Sequence, residues 1–152
     1  MSKFDKAQSV GWVMDRAILI EKRINNVIFN FIEPDNKEVF ISHILNSSVM
    51  NYGGKLKVLY RIIGYDKESK KLYNDLQRIG SIRNSFAHTD FSYLMSMSFG
   101  GEARNRIWSN QVIDVMKSNG EIDSKNPSEF LEEYLNLLKK IERQQTSKMG
   151  NQ

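Results

Sequence analysis

Residues 66–88 decide the fold, and they read DKESKKLYNDLQRIGSIRNSFAH. Apolar side chains recur there at every third or fourth position, which places them along one side of an α-helix. Asp66 is suited to the helix N-cap, since its carboxylate can accept a hydrogen bond from a first-turn N–H group. We predict one long helix that ends at His88, with a buried stripe of Leu72, Leu76, Ile79, Ile82 and Phe86.

A second long helix is predicted near the start of the chain, because apolar residues keep the same spacing from Val10 onwards. Pro34 ends this helix, since proline has no backbone N–H and disfavours helix in the residue before it. The residues expected on its buried side are Val10, Val13, Ala17, Ile20, Ile24, Val27 and Phe31.

Two shorter helices are predicted between these long ones. Residues 35–38 have the form of a capping box. The Asp35 carboxylate can accept a hydrogen bond from an N–H group of the first helical turn, and the Glu38 side chain can reach back towards the start of the helix. Gly53-Gly54 predicts a turn. A further helix is predicted over residues 55–63, with its end at Gly64. The helix after the capping box is expected to bury Val39, Phe40, Ile44 and Leu45.

The apolar pattern changes after Thr89. Residues 93–99 alternate between polar and apolar in the manner of a strand, and residues 107–116 fit either a partner strand or a short helix. A small hairpin is the preferred interpretation. Asn126 followed by Pro127 predicts the start of the last helix, because Asn caps and proline suits the first helical position. The expected stripe of this helix is Phe130, Leu131, Tyr134, Leu135, Leu138 and Ile141.

Length and composition agree with this plan. With 152 residues, 40% of them hydrophobic, the chain has the size and composition of one globular domain. We assign residues 1–145 to a single domain and residues 146–152 to a frayed polar tail. The predicted class is mainly all-α: a bundle of about five helices with a small irregular or β-hairpin insertion before the last helix.

Composition also excludes several classes of protein. The absence of cysteine excludes a disulfide scaffold, a thiol nucleophile and a zinc finger. Because the chain has only two His, we expect neither a metal site nor a cofactor. The N-terminal residues lack the apolar run of a signal peptide, and no apolar run reaches 18 residues. We therefore expect a cytoplasmic protein with no membrane contact.

Positive charge is concentrated between Lys55 and Arg83. This segment has eight Lys or Arg against three acids, a net charge of +5, whereas the whole chain carries +4. A basic surface attracts polyanions such as RNA, although the same charges also suit a solvated helix face. The candidate RNA-binding residues are Lys55, Lys57, Lys70, Lys71 and Arg78.

The end of the 66–88 helix combines three side chains that can carry chemistry. At 100° per residue, His88 lies about 180° from the apolar stripe at Ile79, and Asn84 lies within roughly 40° of His88. Arg83 lies at the edge between the two faces. Structural roles are also open: His88 is suited to cap the helix C-terminus, and Arg83 can pair with Asp75 or Glu68.

Residues 83–88, Arg-Asn-Ser-Phe-Ala-His, resemble the signature of the HEPN superfamily, in which an Arg is followed by four to six residues and a His. A polar residue such as Asn84 commonly follows that Arg. The layout of residues 10–90 is also similar to HEPN proteins, and most of all to the branch related to the mannitol operon repressor. Residues from Phe91 onwards match nothing in this family.

The resemblance implies metal-independent RNA cleavage by a homodimer that leaves a 2′,3′-cyclic phosphate. Arg83 and His88 would be catalytic, with Asn84 orienting His88. The setting implied is toxin–antitoxin or phage defence, with a cognate antitoxin protein as partner. The alternative is a non-catalytic regulatory or interaction protein similar to the mannitol-repressor relatives, and a nucleotide-binding accessory domain is a third interpretation.

Overall fold

The computed structural model describes residues 6–88 and 112–148 of the chain. Within these ranges the protein is mainly helical, with a two-stranded antiparallel hairpin before the last helix, which confirms the predicted class. The elements are α1 (Lys6–Ile32), α2 (Lys37–Val39), α3 (Tyr52–Ile63), α4 (Lys67–His88), β1 (Ile113–Met116), β2 (Ile122–Lys125) and α5 (Pro127–Lys148).

The described residues form two compact units. The first, which we call the 16–80 unit, contains most of α1, all of α2 and α3, and α4 up to Gly80. The second, the terminal unit, contains residues 6–15, 81–88 and 112–148, with the end of α4, the hairpin and α5. The single domain over residues 1–145 stays a prediction.

The predicted C-terminal end of α3 and the predicted N-terminal start of α4 are confirmed in the 16–80 unit. Gly64 follows α3 with a φ of 96°, a left-handed value that suits a residue without a side chain. Asp66 Oδ1 accepts hydrogen bonds from the N–H groups of Glu68 and Ser69, both at 2.9 Å. The stripe predicted for α4 is buried at all five positions: Leu72, Leu76, Ile79, Ile82 and Phe86.

The start of α3 differs from the prediction. The side chain of Asn51 accepts a hydrogen bond from the N–H of Gly54 at 2.9 Å, and the helix begins at Tyr52. Gly53 and Gly54 therefore lie in the first helical turn rather than in a separate turn. The prediction was wrong because the N-cap at Asn51 provides the hydrogen bond that starts the helix ahead of the two glycines.

The second helix is also shorter and less buried than predicted. Its N-cap is Asn36 rather than Asp35, since Asn36 Oδ1 accepts from the N–H of Val39 at 3.0 Å. After Val39 the chain continues as a π-helical turn, Phe40–Ile44. Of the four residues expected to be buried only Leu45 is buried, whereas Val39 and Ile44 are exposed and Phe40 is half-buried against the ring of Phe29.

Burial along α1 departs from the prediction at its C-terminal end. Val13, Ala17, Ile20 and Ile24 are buried as expected. At the next turn Ile28 is buried, whereas Phe31 is 65% exposed. Both Val27 and Ile28 continue the helical spacing from Ile24, so the neighbouring elements decide which of them is covered.

The terminal unit is built around α5. Asn126 Oδ1 accepts from the N–H of Ser128 at 2.8 Å, and Pro127 occupies the first helical position as predicted. The fully buried Tyr134 donates a hydrogen bond from its hydroxyl to the carbonyl of Val13 at 3.0 Å. Leu135 is exposed, although the predicted stripe included it. Because α5 extends to Lys148, residues 146–148 of the predicted frayed tail are helical.

The hairpin pairs β1 with β2 in the register Ile113↔Lys125 and Met116↔Ile122. Ile113 and Val115 are buried on one face of β1. Residues 113–116 are thus a strand, as preferred for the 107–116 segment, but their partner is 122–125. The strand predicted at residues 93–99 lies outside the described residues.

Gly80 is predicted to be a sensitive position for stability. A Cβ atom placed there would lie 2.6 Å from Cε1 of Tyr52, whose hydroxyl is fixed by a 2.9 Å hydrogen bond to the Leu76 carbonyl. We expect Gly80→Ala to lower the free energy of unfolding by about 1–3 kcal/mol, because the ring has to move. Guanidinium denaturation measures this change.

Gly11 provides the matched control. It is an exposed residue within α1, and a Cβ there meets no atom within 4 Å. Gly11→Ala is expected to stabilise the protein by about 0.5–1 kcal/mol, since alanine is the better helix former. Equal effects of the two substitutions would contradict the contact between Gly80 and Tyr52.

Candidate functional site

The last two turns of α4 carry the Arg–His motif. Ile82 and Phe86 are buried on one side of the helix, whereas Asn84 and His88 are exposed and Arg83 is half-buried. The helical spacing therefore directs the motif away from the core, as the sequence predicted. The exposed imidazole of His88 lies where a ligand can approach.

The guanidinium of Arg83 is held by one neighbour and keeps a donor unused. Its Nη1 donates to Asn84 Oδ1 at 2.9 Å, while its Nε is buried without a hydrogen-bond partner. An unpaired buried donor costs roughly 1–3 kcal/mol, and this Nε bears that cost inside the protein. The pairing of Arg83 with Asp75 or Glu68 stays a prediction, because Arg83 belongs to the terminal unit and both acids belong to the 16–80 unit.

Asn84 contacts the arginine of the motif. The sequence predicts that Asn84 orients His88 from one turn away. In the structure, the side-chain oxygen of Asn84 accepts a hydrogen bond from Arg83 instead. This contact limits the rotation of the long arginine side chain. In this geometry Asn84 positions Arg83 rather than His88.

His88 is the last residue of α4 and is exposed. Among residues 6–88 and 112–148, no side chain forms a hydrogen bond or an ion pair with its imidazole. A protonated His at a helix C-terminus gains about 0.3–1 kcal/mol from the helix dipole, so a modest capping contribution is compatible with a chemical role.

The hairpin is bound to the motif through Ser85, a contact that no pattern in the sequence indicates. Ser85 Oγ donates to the carbonyl of Asp114 on β1 at 2.6 Å. The carboxylate of Asp114 in turn accepts from Ser124 Oγ on β2, also at 2.6 Å. The motif sequence contains no acid of its own, and these bonds hold the backbone of an acidic residue beside it.

Lys55 is buried and cannot bind RNA, contrary to the prediction. Its side chain is 1% exposed, and its Nζ lies 2.5 Å from Oε1 of Glu21, so it faces the interior of the 16–80 unit. Ser47 Oγ donates to the same carboxylate oxygen at 3.2 Å. An ammonium in this position neutralises a partly buried acid and cannot contact a phosphate.

The other basic candidates divide into two groups. Lys57, Lys70 and Lys71 are exposed and remain available to a polyanion. Arg78 is half-buried and already interacts with neighbouring groups of the protein. All four belong to the 16–80 unit, whereas the Arg–His motif belongs to the terminal unit.

Neither a metal site nor a membrane span is found in the described part of the chain. No three His, Asp or Glu side chains in residues 6–88 and 112–148 are grouped so that they could hold a metal ion. In the same ranges, no helix combines the length and the hydropathy needed to cross a bilayer.

Comparison with known proteins identified no relative. No protein-family model matches the chain, and neither a curated protein nor a solved structure matches it.

Proposed function

We propose that this chain is a metal-independent endoribonuclease of the HEPN type, acting as a homodimer in a toxin–antitoxin or phage-defence setting with a cognate antitoxin. One observation carries the proposal: on one helix, an exposed imidazole at His88 follows a half-buried Arg83 five residues earlier, both outside the buried stripe of that helix. These two groups supply a proton-transfer residue and an anion clamp, the minimum that cleavage of a phosphodiester needs without a metal.

The chemistry follows from the ordinary properties of the two side chains. Neutral His88 takes the proton of a ribose 2′-OH, and the 2′-oxygen then attacks the adjacent phosphorus. The bond from phosphorus to the 5′-oxygen breaks, and that oxygen leaves with a proton from the imidazolium of a second motif. The products are a 2′,3′-cyclic phosphate and a 5′-hydroxyl.

Arg83 acts on the phosphate during this reaction. A guanidinium donates two parallel hydrogen bonds to phosphate oxygens and stabilises the negative charge that grows on them. The bond from Nη1 to Asn84 Oδ1 holds the plane of the group. Asn84 is thus a positioning residue for the clamp.

The second motif is expected to come from a second copy of the chain. The polar strip with Asn84 and His88 faces away from the core, and a two-fold contact pairs this strip with itself. We expect light scattering at micromolar concentration to give about twice the chain mass of 17.7 kDa. A monomer under these conditions would contradict both the dimer and a site composed of two motifs.

A second candidate function is supported by a different surface. Six large apolar side chains are exposed within residues 31–49, which is typical of a protein-binding surface and favours a non-catalytic regulatory or interaction protein. These residues are Phe31, Ile32, Val39, Ile41, Ile44 and Val49.

The two functions make different predictions for one experiment. Labelled RNA is incubated with the purified chain in EDTA, and the wild type is compared with His88→Ala. A nuclease cleaves the RNA and loses this activity on substitution, whereas a regulatory protein leaves the RNA intact in both samples.

A further inference from the structure

Three tyrosines form a continuous row where α3 meets α4 in the 16–80 unit. The ring of Tyr60 lies in the middle, with its centroid 4.9 Å from that of Tyr65 and 4.9 Å from that of Tyr73. The first pair is edge-to-face at 86°, and the second is tilted by 31°. We call Tyr60, Tyr65 and Tyr73 the tyrosine row.

The backbone around the tyrosine row is fixed. Gly64, with its φ of 96°, turns the chain directly before Tyr65. The buried hydroxyl of Ser69 donates to the carbonyl of Ile63 at 3.2 Å and lies 2.9 Å from the carboxylate of Asp66, which ties the turn together. Tyr65 is nevertheless 68% exposed, so a large aromatic ring lies in solvent on a hydrogen-bonded turn.

The two other rings support Tyr65 from the helices. Tyr60 and Tyr73 are half-buried, and Gln77 Nε2 donates to the hydroxyl of Tyr73 at 3.1 Å. The exposed Tyr65 ring therefore stands edge-to-face on Tyr60, which in turn packs on Tyr73. An exposed ring supported in this way is suited to stacking against another aromatic ring.

Positive charge surrounds this aromatic surface. Residues 57–73 contain five Lys or Arg and two acids, and the carboxylate of Asp66 is used to cap α4. Lys57 lies three residues before Tyr60, and Lys70 lies three residues before Tyr73, spacings that make helix neighbours. In the part of the chain that the structure describes, the five exposed cations of this segment form no ion pairs: Lys57, Arg61, Lys67, Lys70 and Lys71.

We propose that the tyrosine row and its flanking cations form a binding subsite for single-stranded RNA. The choice of RNA as the ligand rests on the proposed function. Unpaired bases stack on aromatic rings, while Lys and Arg follow the phosphates, and this combination is typical of sequence-tolerant binding of single strands. A base-paired duplex offers the same phosphate charges but no free base faces. The exposed Tyr65 ring therefore favours single-stranded RNA over a duplex. The unpaired cations make an acidic polymer a better occupant than an apolar protein surface.

The experiment measures binding without cleavage. A fluorescein-labelled, single-stranded 12-mer RNA with 2′-O-methyl riboses, which have no 2′-OH to attack, is titrated with the wild-type chain and with Tyr65→Ala, and anisotropy gives Kd. We expect Tyr65→Ala to weaken binding about tenfold, because one stacked base loses its ring partner. Tyr65→Phe keeps the ring and is expected to bind within about twofold of the wild type.

Two controls separate stacking from charge and from general surface effects. Phe31 is an equally exposed aromatic residue of the same unit, 65% against 68%, and Phe31→Ala is expected to leave Kd unchanged. Replacing Lys57 and Lys70 with Gln is expected to reduce the slope of log Kd against log salt by about 0.7 for each phosphate that is no longer neutralised. A duplex of the same sequence is expected to respond to the lysine substitutions and not to Tyr65→Ala.

The outcomes separate this proposal from the nuclease proposal. If the 12-mer binds and Tyr65→Ala weakens it, the subsite stands even where unmodified RNA is not cleaved. If unmodified RNA is cleaved but Tyr65→Ala binds the 12-mer as well as the wild type does, the subsite is refuted and the nuclease is not. Equal losses for Tyr65→Ala and Phe31→Ala also refute it, as does the absence of binding by the wild type.

Discussion

His88→Ala is expected to lower the rate of RNA cleavage by roughly 10²–10⁴-fold, the usual contribution of a positioned proton-transfer group. The imidazole is exposed at the end of α4 and lies outside the buried stripe of that helix. Its removal should therefore leave the fold intact, with at most the small loss of a helix-capping charge. The measurement is the initial rate on labelled RNA in EDTA, with thermal unfolding recorded on the same proteins.

Arg83→Ala is expected to reduce the rate by a comparable factor, since it removes the donors that stabilise charge on the phosphate. Arg83→Lys should restore only part of the rate, because an ammonium cannot reproduce two parallel hydrogen bonds. Asn84→Ala should lower the rate by a smaller factor than Arg83→Ala, since the guanidinium remains but loses its contact with Oδ1. The loss of rate is smaller for Asn84→Ala than for Arg83→Ala because Asn84 only positions the guanidinium of Arg83.

A purely structural role for the motif predicts the opposite set of results. The wild type would leave RNAs of varied sequence intact, and His88→Ala would unfold several degrees lower because a capping charge is removed. Cleavage that EDTA abolishes would also contradict the proposal, since the proposed chemistry uses only side chains. The regulatory function, with the exposed apolar residues 31–49 as its binding surface, would then be the better conclusion.

The elements that the sequence predicted correctly are those with local determinants. The α4 stripe follows from helical spacing, and Asp66, Gly64 and Pro127 each act within a few residues of the helix end that they define. The outward direction of His88 has the same origin, because helix geometry alone separates it from Ile79. Nothing distant in the chain is needed for these predictions.

Two features that the sequence did not predict, the burial of Lys55 and the contact of Ser85, depend on partners far away in the sequence. Lys55 was placed on a basic surface because lysine is rarely buried, but its acid lies 34 residues earlier on α1. The contact of Ser85 with Asp114 spans 29 residues. Asn84 was assigned to the wrong partner within the motif, because spacing along a helix fixes the face of a side chain but not its rotamer.

The ion pair between Glu21 and Lys55 is expected to give the largest single effect on stability. Lys55 is 1% exposed and Glu21 is 19% exposed, so the two partners differ in their access to water. Glu21→Met leaves an ammonium buried without its carboxylate, which costs about 3–5 kcal/mol. Lys55→Met leaves a carboxylate that water and the Ser47 hydroxyl still reach, so a smaller loss is expected. Guanidinium denaturation of the two variants measures this asymmetry.

The double variant Glu21→Met/Lys55→Met decides between a structural and an RNA-binding role for Lys55. Removing both charges takes away the desolvation cost together with the attraction, so most of the stability lost in Glu21→Met should return. Glu121→Met, which breaks the exposed pair with Lys117, is the matched control and should be indistinguishable from the wild type. The 2′-O-methyl RNA 12-mer should bind the double variant as tightly as the wild type, because the Lys55 ammonium points into the protein. Weaker RNA binding by the double variant at unchanged stability would place Lys55 on the RNA-binding surface after all. A double variant as unstable as Glu21→Met would show that altered packing, and not the unpaired buried charge, causes the loss of stability.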